Sequence, residues 1–237
     1  MFLIKVIRNI LNLLDYLNQK KILKIIKKKS QDKLIIIDVG AHFGETIGII
    51  KKNLDFKKIY SFEASPLNFK ILENNFPNEL NSNIEIYNYA LGEINSETFI
   101  NQTLESSSST INDINLKSKY LYRKLKILNI TDKIFFSKKI PIKIITLDSF
   151  INEKKINKID LLKIDTEGYE FNILKGLIKN FSKIKLIYFE HHYDDMIIKN
   201  YNFSDINNLL IKFGFRKIFK NKMLFRKSFE YLYENQN

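Results

Sequence analysis

The sequence predicts an α/β fold with a mostly parallel β-sheet and helices on both of its faces. Short, continuous apolar runs recur along the chain, and stretches with helical spacing of apolar residues separate them. Such runs are typical of strands buried on both faces, and their alternation with helices favours parallel pairing. Near the C-terminus, strand patterns over 215–219 and 223–225 flank Lys220-Asn221-Lys222, which predicts a hairpin and hence one antiparallel strand.

The composition is that of one globular domain with small additions. The chain of 237 residues is 45% hydrophobic and contains no Cys, which excludes disulfides and thiolate metal sites. A formal net charge of +13 favours anionic partners such as nucleic acid, a lipid surface or an acidic glycan. Because the lysines are scattered along the chain, a solvated basic surface is the simpler explanation of the charge.

Residues 1–33 are predicted to form an amphipathic helical extension in front of a main domain over 34–237. Apolar side chains recur at helical spacing through 2–28, and charged side chains interrupt them, which excludes a membrane-spanning helix. We expect this basic segment to pack across the sheet as a cap. Peripheral contact of residues 1–28 with an anionic membrane is the alternative.

The first apolar run, residues 34–39, is predicted to be a buried strand that ends in a glycine turn. A helix is predicted directly behind it, over 43–52. In an open parallel sheet, ligands bind at the carboxyl ends of the strands. Gly40 lets the backbone approach a ligand there, and Asp38 offers a carboxylate to a cationic ligand group.

A second predicted strand, residues 57–63, ends at Glu63. An acid at this position, about 20 residues after the glycine turn, is suited to hydrogen-bonding a ribose. Gly40, Gly44 and Gly48 recur every four residues, which is not the spacing that cradles a pyrophosphate. The two strand ends therefore indicate a nucleoside cofactor without a pyrophosphate, and S-adenosylmethionine fits best.

Further elements follow in chain order: a helix from 66 to about 76 capped by Ser65, a strand over 84–90, a strand over 139–145, a helix capped by Thr146, strands over 159–165 and 185–189 with a helix between them, and a helix capped by Ser204. Residues 93–140 interrupt this alternation with a short strand near 98–102 and a helix over 116–130. This insertion is predicted to form a lid or substrate wall.

Six separated stretches together resemble the FkbM-type family of class I S-adenosylmethionine-dependent methyltransferases. They are Asp38-Val-Gly-Ala-His-Phe-Gly44, Phe62-Glu-Ala-Ser-Pro66 with Leu72-Glu-Asn74, Ala90-Leu-Gly92, Thr146-Leu-Asp-Ser-Phe150, Lys163-Ile-Asp-Thr-Glu-Gly-Tyr-Glu170 with Leu174-Lys-Gly176, and Phe189-Glu-His191. The resemblance implies a Rossmann-like methyltransferase fold with a mostly parallel seven-stranded sheet and an antiparallel C-terminal strand. The chain departs from the family at His42, usually Asn, and at Ala64, usually Pro.

The resemblance also implies the cofactor site. Asp38 and Gly40 are expected to hold the methionine portion, Glu63 the ribose hydroxyls and the turn at Ala90 the adenine, with Asp165 beside the sulfonium. The full expected set is Asp38, Gly40, His42, Gly44, Glu63, Ala64, Ala90, Leu91 and Asp165.

Methylation of a hydroxyl requires a general base. The candidates are Asp165, Glu167, Glu190, His191 and His192, from which we select Asp165, His191 and Glu167 as catalytic. For Glu167, complementing a helix N-terminus is the structural alternative. Asp165, Glu190 and His191 are also of the ligand types that bind Mg²⁺ or Mn²⁺, although their spacing does not define a metal site.

The resemblance implies O-methylation. We expect the methylated group to be a hydroxyl of a sugar in a glycan or glycan precursor. The basic charge of the chain suggests that this acceptor molecule is anionic. Two alternatives stay open: a nucleic-acid methyltransferase, although no RNA-binding module is recognisable, and a non-catalytic module that retains the fold. We expect the protein in the cytoplasm or peripherally at the inner membrane surface.

Overall fold

Two β-sheets and the helices that cover them form the part of the chain that the computed structural model describes, residues 20–30, 32–77, 83–104, 106–128, 136–223 and 226–237. The strands are β1 (Leu34–Val39), β2 (Phe56–Phe62), β3 (Ile84–Tyr87), β4 (Ala90–Leu91), β5 (Ser96–Thr103), β6 (Phe136–Ile145), β7 (Ile159–Ile164), β8 (Ile184–His192), β9 (Phe215–Lys222) and β10 (Ser228–Asn235). The helices are α1 (20–29), α2 (Glu45–Asn53), α3 (Pro66–Asn75), α4 (Lys119–Leu128), α5 (Leu147–Glu153), α6 (Glu170–Lys175) and α7 (Phe203–Lys212).

The larger sheet has seven strands in the order β3-β2-β1-β7-β8-β10-β9. Parallel ladders join β3, β2, β1, β7 and β8, whereas β10 runs antiparallel to both β8 and β9. This confirms the predicted Rossmann-like, mostly parallel sheet with an antiparallel C-terminal strand. Because parallel strands share a direction, the residues that follow β1, β2, β7 and β8 meet at one edge of the sheet.

Apolar cores on both faces explain why the central strands are continuously apolar. On one face, Ile22 and Ile26 of α1 pack in the same buried cluster as Ile36 of β1 and Leu232 of β10. Helix α1 therefore caps the sheet, while residues 1–19 of the predicted extension lie outside the described residues. None of the described helices is long and apolar enough to cross a lipid bilayer.

A smaller sheet of three strands, in the order β4-β6-β5, lies beside the large one. The prediction of one strand over 84–90 is therefore wrong. Its first half joins the large sheet as β3, and Ala90 begins β4 in the small sheet. The Nδ2 atom of Asn88 donates to the carbonyls of Glu63 (2.8 Å) and Ala64 (3.3 Å) between the two strands. These hydrogen bonds hold the chain where it changes sheet.

The C-terminal hairpin differs from the prediction. Lys220-Asn221-Lys222 is not the turn but the end of β9, and the returning strand is β10. In the antiparallel ladder Asn221 pairs with Glu230, and its Nδ2 atom donates to the Glu230 carboxylate at 3.1 Å. The aromatic side chains of Tyr231 and Tyr233 are fully buried in the core, which stabilises β10.

Helix caps were predicted correctly in two of the three cases. Ser65 and Thr146 accept backbone N–H bonds at the starts of α3 and α5, as expected. Helix α7 begins earlier than predicted, because Asn202, not Ser204, is its cap and forms a capping box with Asp205.

Candidate active site

The glycine turn after β1 is fixed by contacts with the two neighbouring strand ends. The backbone N–H of Gly40 donates to the carbonyl of Phe62 at 2.9 Å. Gly40 has a φ of 82°, and a Cβ there would lie 1.8 Å from the carbonyl oxygen of Asp165. Gly40 is thus required because the chain after β7 approaches so closely, a reason that the sequence did not reveal. Gly44, with a φ of 97°, is the N-cap residue directly before α2.

Glu63, at the end of β2, joins this turn to the start of α3. Its buried carboxylate accepts the backbone N–H groups of His42 (2.8 Å) and Ser65 (2.9 Å), and the Nδ2 atom of Asn68 lies 3.4 Å away. Burial raises the pKa of Glu63. A carboxylate offers about four acceptor positions. Three are used here, which leaves acceptor capacity for a ribose hydroxyl.

Asp38 lies beneath the site instead of lining it. Its carboxylate has no exposed surface; its Oδ1 atom is 3.3 Å from the Nζ atom of Lys163. Lys163 in turn approaches the Oδ2 atom of Asp165 at 3.5 Å, and the Asp165 side chain is 39% exposed. The sequence led us to expect that the Asp38 carboxylate contacts a ligand directly. Its complete burial does not support such a contact. Lys163 was missed, although a lysine within a strand predicted to be buried was a visible signal.

His42 connects the glycine turn to the 93–140 insertion. Its ring lies between the Oε1 atom of Glu45 (2.9 Å from Nδ1) and the Oγ atom of Ser106 (2.7 Å from Nε2). A second link from the insertion is the hydrogen bond that the Ser65 hydroxyl donates to Gln102 at 2.5 Å.

The insertion also contacts the loop that follows β7. The hydroxyl of Thr110 donates to the carbonyl of Glu167 at 2.8 Å, and the Nδ2 atom of Asn112 donates to the carbonyl of Gly168 at 2.5 Å. Residues of the insertion therefore touch the loops after β1, β2 and β7, the edge at which ligands bind in this architecture.

Three further residues expected at the cofactor site are placed mainly in packing positions. Ala90 and Leu91 are buried, Leu91 in the main core and Ala90 in a small cluster that Ala64 flanks. Contacts of Ala90 and Leu91 with a ligand would therefore be made by the backbone. The preceding Asn88, which the sequence did not single out, is partly exposed.

Glu167, Glu190, His192 and Asp194 form what we call the carboxylate–histidine cluster. The Nε2 atom of His192 lies 3.4 Å from the Oε2 atom of Glu167 and 3.4 Å from the Oε1 atom of Glu190. Its Nδ1 atom lies 3.5 Å from the Oδ2 atom of Asp194. Glu167 has a φ of 51°, an unusual backbone conformation of the kind that concentrates at functional sites.

The protonation states in the cluster follow from burial and mutual charge. Burial alone would lower the pKa of His192, but the carboxylates of Glu167 and Glu190 raise it to about 10. Burial raises the pKa of Glu167 to about 7, although the positive charge of His192 opposes this. Near neutral pH, Glu167 is therefore close to its pKa beside the imidazolium of His192, and a carboxyl group with such a pKa can act as a general base.

His191 is a correction to the predicted catalytic residues. Successive side chains of a strand point to opposite faces, so His191 faces away from Glu190 and His192. Its ring packs against Tyr193, Tyr201 and Phe203, and burial lowers the pKa of His191 to about 3.

The metal ligands considered from the sequence are not brought together either. Since His191 lies on the opposite face from Glu190, it does not form a ligand set with Glu190 and Asp165. Across the described ranges, no three His, Asp or Glu side chains are arranged to hold a metal ion.

Comparison with known proteins agrees with this architecture. The Methyltransferase FkbM domain matches residues 38–217. The hexuronic acid methyltransferase AglP of Haloferax volcanii is 20% identical over 191 residues, which cover 81% of this chain and 70% of AglP.

Two solved structures share the fold. The methyltransferase FkbM from Methylobacillus flagellatus superimposes with a TM-score of 0.51 at 16% identity, over 85% of this chain but only 44% of that protein. The magnesium protoporphyrin IX methyltransferase of Synechocystis, solved with bound S-adenosylmethionine, gives 0.52 at 8% identity over 94% of this chain and 81% of that one. Since the FkbM domain match covers most of the chain, from the glycine turn to β9, the protein belongs to the FkbM methyltransferase family.

Proposed function

We infer that the protein is an S-adenosylmethionine-dependent O-methyltransferase whose acceptor is a hydroxyl of a sugar in a glycan or glycan precursor. The inference rests on the carboxylate–histidine cluster. Its member Glu167, with a pKa of about 7, lies two residues after Asp165, which is expected beside the sulfonium, so a general base is available next to the methyl donor. Family membership supports methyl transfer. The distant likeness to AglP, a hexuronic acid methyltransferase by name, supports a sugar acceptor.

The residues at the ends of β1 and β2 fit the cofactor. The Glu63 carboxylate retains acceptor capacity for a ribose hydroxyl, and the exposed carboxylate of Asp165 places negative charge where a cationic sulfonium is expected. His42 and Gly44 hold the turn between them. When bound, S-adenosylmethionine supplies an electrophilic methyl group. The contribution of the chain is to hold the acceptor in line with it, because positioning provides much of the rate acceleration.

Glu167 is the proposed general base, with Asp165 as the neighbouring charge. Ionised Glu167 takes up the proton of the acceptor hydroxyl at its carboxylate, whose buried Oε2 atom faces His192. The imidazolium of His192 favours the ionised form of Glu167 and so keeps its pKa near neutrality. The described part of the insertion over 93–140, which contacts three of the surrounding loops, serves as the wall that excludes water from this reaction.

Titration calorimetry with S-adenosylmethionine and S-adenosylhomocysteine tests the cofactor assignment. Glu63→Gln is expected to weaken both ligands by about tenfold or more, the effect of a lost hydrogen bond to a charged group. Glu73→Gln, on the exposed face of α3, is the matched control and should bind like the wild type. Failure of the wild type to bind either ligand would favour a non-catalytic module.

Transfer of a labelled methyl group to sugar nucleotides, and separately to total RNA, tests the acceptor. Labelled sugar supports the proposal. Labelled RNA without labelled sugar would establish the nucleic-acid methyltransferase instead.

A further inference from the structure

A basic cleft opens beside the carboxylate–histidine cluster. It has a volume of about 220 Å³ and is lined by Lys119, Tyr120, Arg123, Tyr193, Asp195 and Lys227. We propose that this cleft binds the diphosphate group of a diphosphate-linked sugar acceptor. The inference rests on the proposed function, because it names the part of the acceptor that lies next to the methylated sugar.

Two separate parts of the chain converge to supply the positive charge. Lys119 and Arg123 lie four residues apart on α4 and hence on one helix face, and Lys227 directly precedes β10. In the described part of the chain, none of these three side chains forms an ion pair with a carboxylate. Their charges are therefore available to a ligand.

The chemistry of the lining favours a diphosphate over a single carboxylate. Three cationic side chains face one acid, Asp195, whose Oδ1 atom accepts a hydrogen bond from Ser118 at 2.6 Å. This excess of positive charge matches a ligand with two or more negative charges. Arg123 offers a planar fork of donors that suits phosphate oxygens. The phenol of Tyr120 is a further donor, since burial raises the pKa of Tyr120 to about 12 and keeps it protonated.

The chain connects the cleft directly to the cluster. Tyr193 follows His192, and its backbone N–H donates to the carbonyl of Lys227 at 2.6 Å. Asp195 follows Asp194, a member of the cluster. In addition to burial, the charges of Asp194, Glu167 and Glu190 raise the pKa of Tyr120 in the cleft lining. An anion held in the cleft would therefore place the attached sugar near the carboxylates of the cluster. The cleft is a local pocket of about 220 Å³, unlike the extended grooves that track a nucleic-acid backbone.

Calorimetry with inorganic pyrophosphate tests the cleft on the full chain, with and without S-adenosylhomocysteine. Arg123→Gln and Lys227→Gln are each expected to weaken pyrophosphate by about tenfold, with S-adenosylhomocysteine affinity unchanged. Lys126→Gln, exposed on the same helix but outside the cleft, is the matched control and should bind pyrophosphate as the wild type does.

The outcomes separate this inference from the proposed function. Wild-type protein that binds S-adenosylhomocysteine but not pyrophosphate overturns the cleft assignment and leaves the function intact. Equal losses in Arg123→Gln and Lys126→Gln, or preference for glucuronate over pyrophosphate, also overturn it. Loss of S-adenosylhomocysteine binding alone refutes the function instead. Tighter binding of uridine diphosphate than of geranyl diphosphate, or the reverse, identifies a nucleotide or a lipid as the source of the diphosphate.

Discussion

The Nζ atom of Lys163 lies 3.3 Å from the Oδ1 atom of Asp38 in the interior of the sheet. Burial raises the pKa of Asp38. Burial would lower the pKa of Lys163, but the carboxylates of Asp38 and Asp165 raise it. Each charge of the pair is therefore tolerated in the interior because the other is present. Lys163 also lies 3.5 Å from the Oδ2 atom of Asp165, the residue that follows β7.

Lys163→Met is expected to lower the free energy of unfolding by about 3–5 kcal/mol, because it leaves Asp38 as an unpaired buried charge. Urea denaturation measures this loss. The double variant Asp38→Asn/Lys163→Met should lose less than the sum of the two single variants. Lys179→Met, at an exposed position, should change stability by no more than about 0.5 kcal/mol. A Lys163→Met variant as stable as the wild type would refute the pairing.

The rate of methyl transfer should depend on the ionisation of Glu167. Because the base must be deprotonated, kcat/KM is expected to rise with pH and to level off above the pKa of Glu167, about 7. Glu167→Gln should lower kcat by about 100-fold or more and remove this rise. Calorimetry should show its S-adenosylhomocysteine affinity unchanged. A variant that keeps the pH dependence of the wild type would exclude Glu167 as the base.

The parts of the fold that the sequence predicted depend on local chemistry. Short, mainly apolar runs identify β1 and β7, and the caps Ser65 and Thr146 act within one turn of helix. Other features depend on contacts between distant segments. Gly40 is required because of Asp165, which lies far along the chain, and no local pattern indicates this.

The sequence alone contained enough information to choose between the adjacent residues His191 and His192. A strand has a side-chain period of two, so a site that includes Glu190 includes His192 and not His191. Strand β10 was also visible as alternating aromatics, Phe229, Tyr231 and Tyr233. Its position between β8 and β9, however, follows only from the tertiary fold.

The two histidines should respond differently to substitution. His192→Gln removes the positive charge beside Glu167, so the rise of kcat/KM with pH should move upward by about one unit or more. His191→Phe keeps the aromatic packing and should leave both kcat and the pH profile unchanged. The pH profiles of both variants show which face of β8, that of His191 or that of His192, takes part in catalysis. A large loss of kcat in His191→Phe alone would restore the original assignment.

Titration of the imidazoles by nuclear magnetic resonance tests the cluster without any substrate. The chain has 3 His residues, and His191→Phe and His192→Gln assign two of their signals. The signal of His192 should stay that of an imidazolium until the pH nears its pKa of about 10, because Glu167 and Glu190 outweigh the effect of burial. His191, with a pKa of about 3, should stay neutral above about pH 5.

The raised pKa of His192 also makes the free energy of unfolding depend on pH. The stabilisation from the folded-state imidazolium is complete below the unfolded pKa of 6.5 and is lost as the pH rises through about 10. Urea denaturation of the wild type should therefore become easier across that interval. A His192 signal that titrates near 6.5 would show that Glu167 and Glu190 do not enclose an imidazolium, and the proposed tuning of Glu167 would be wrong.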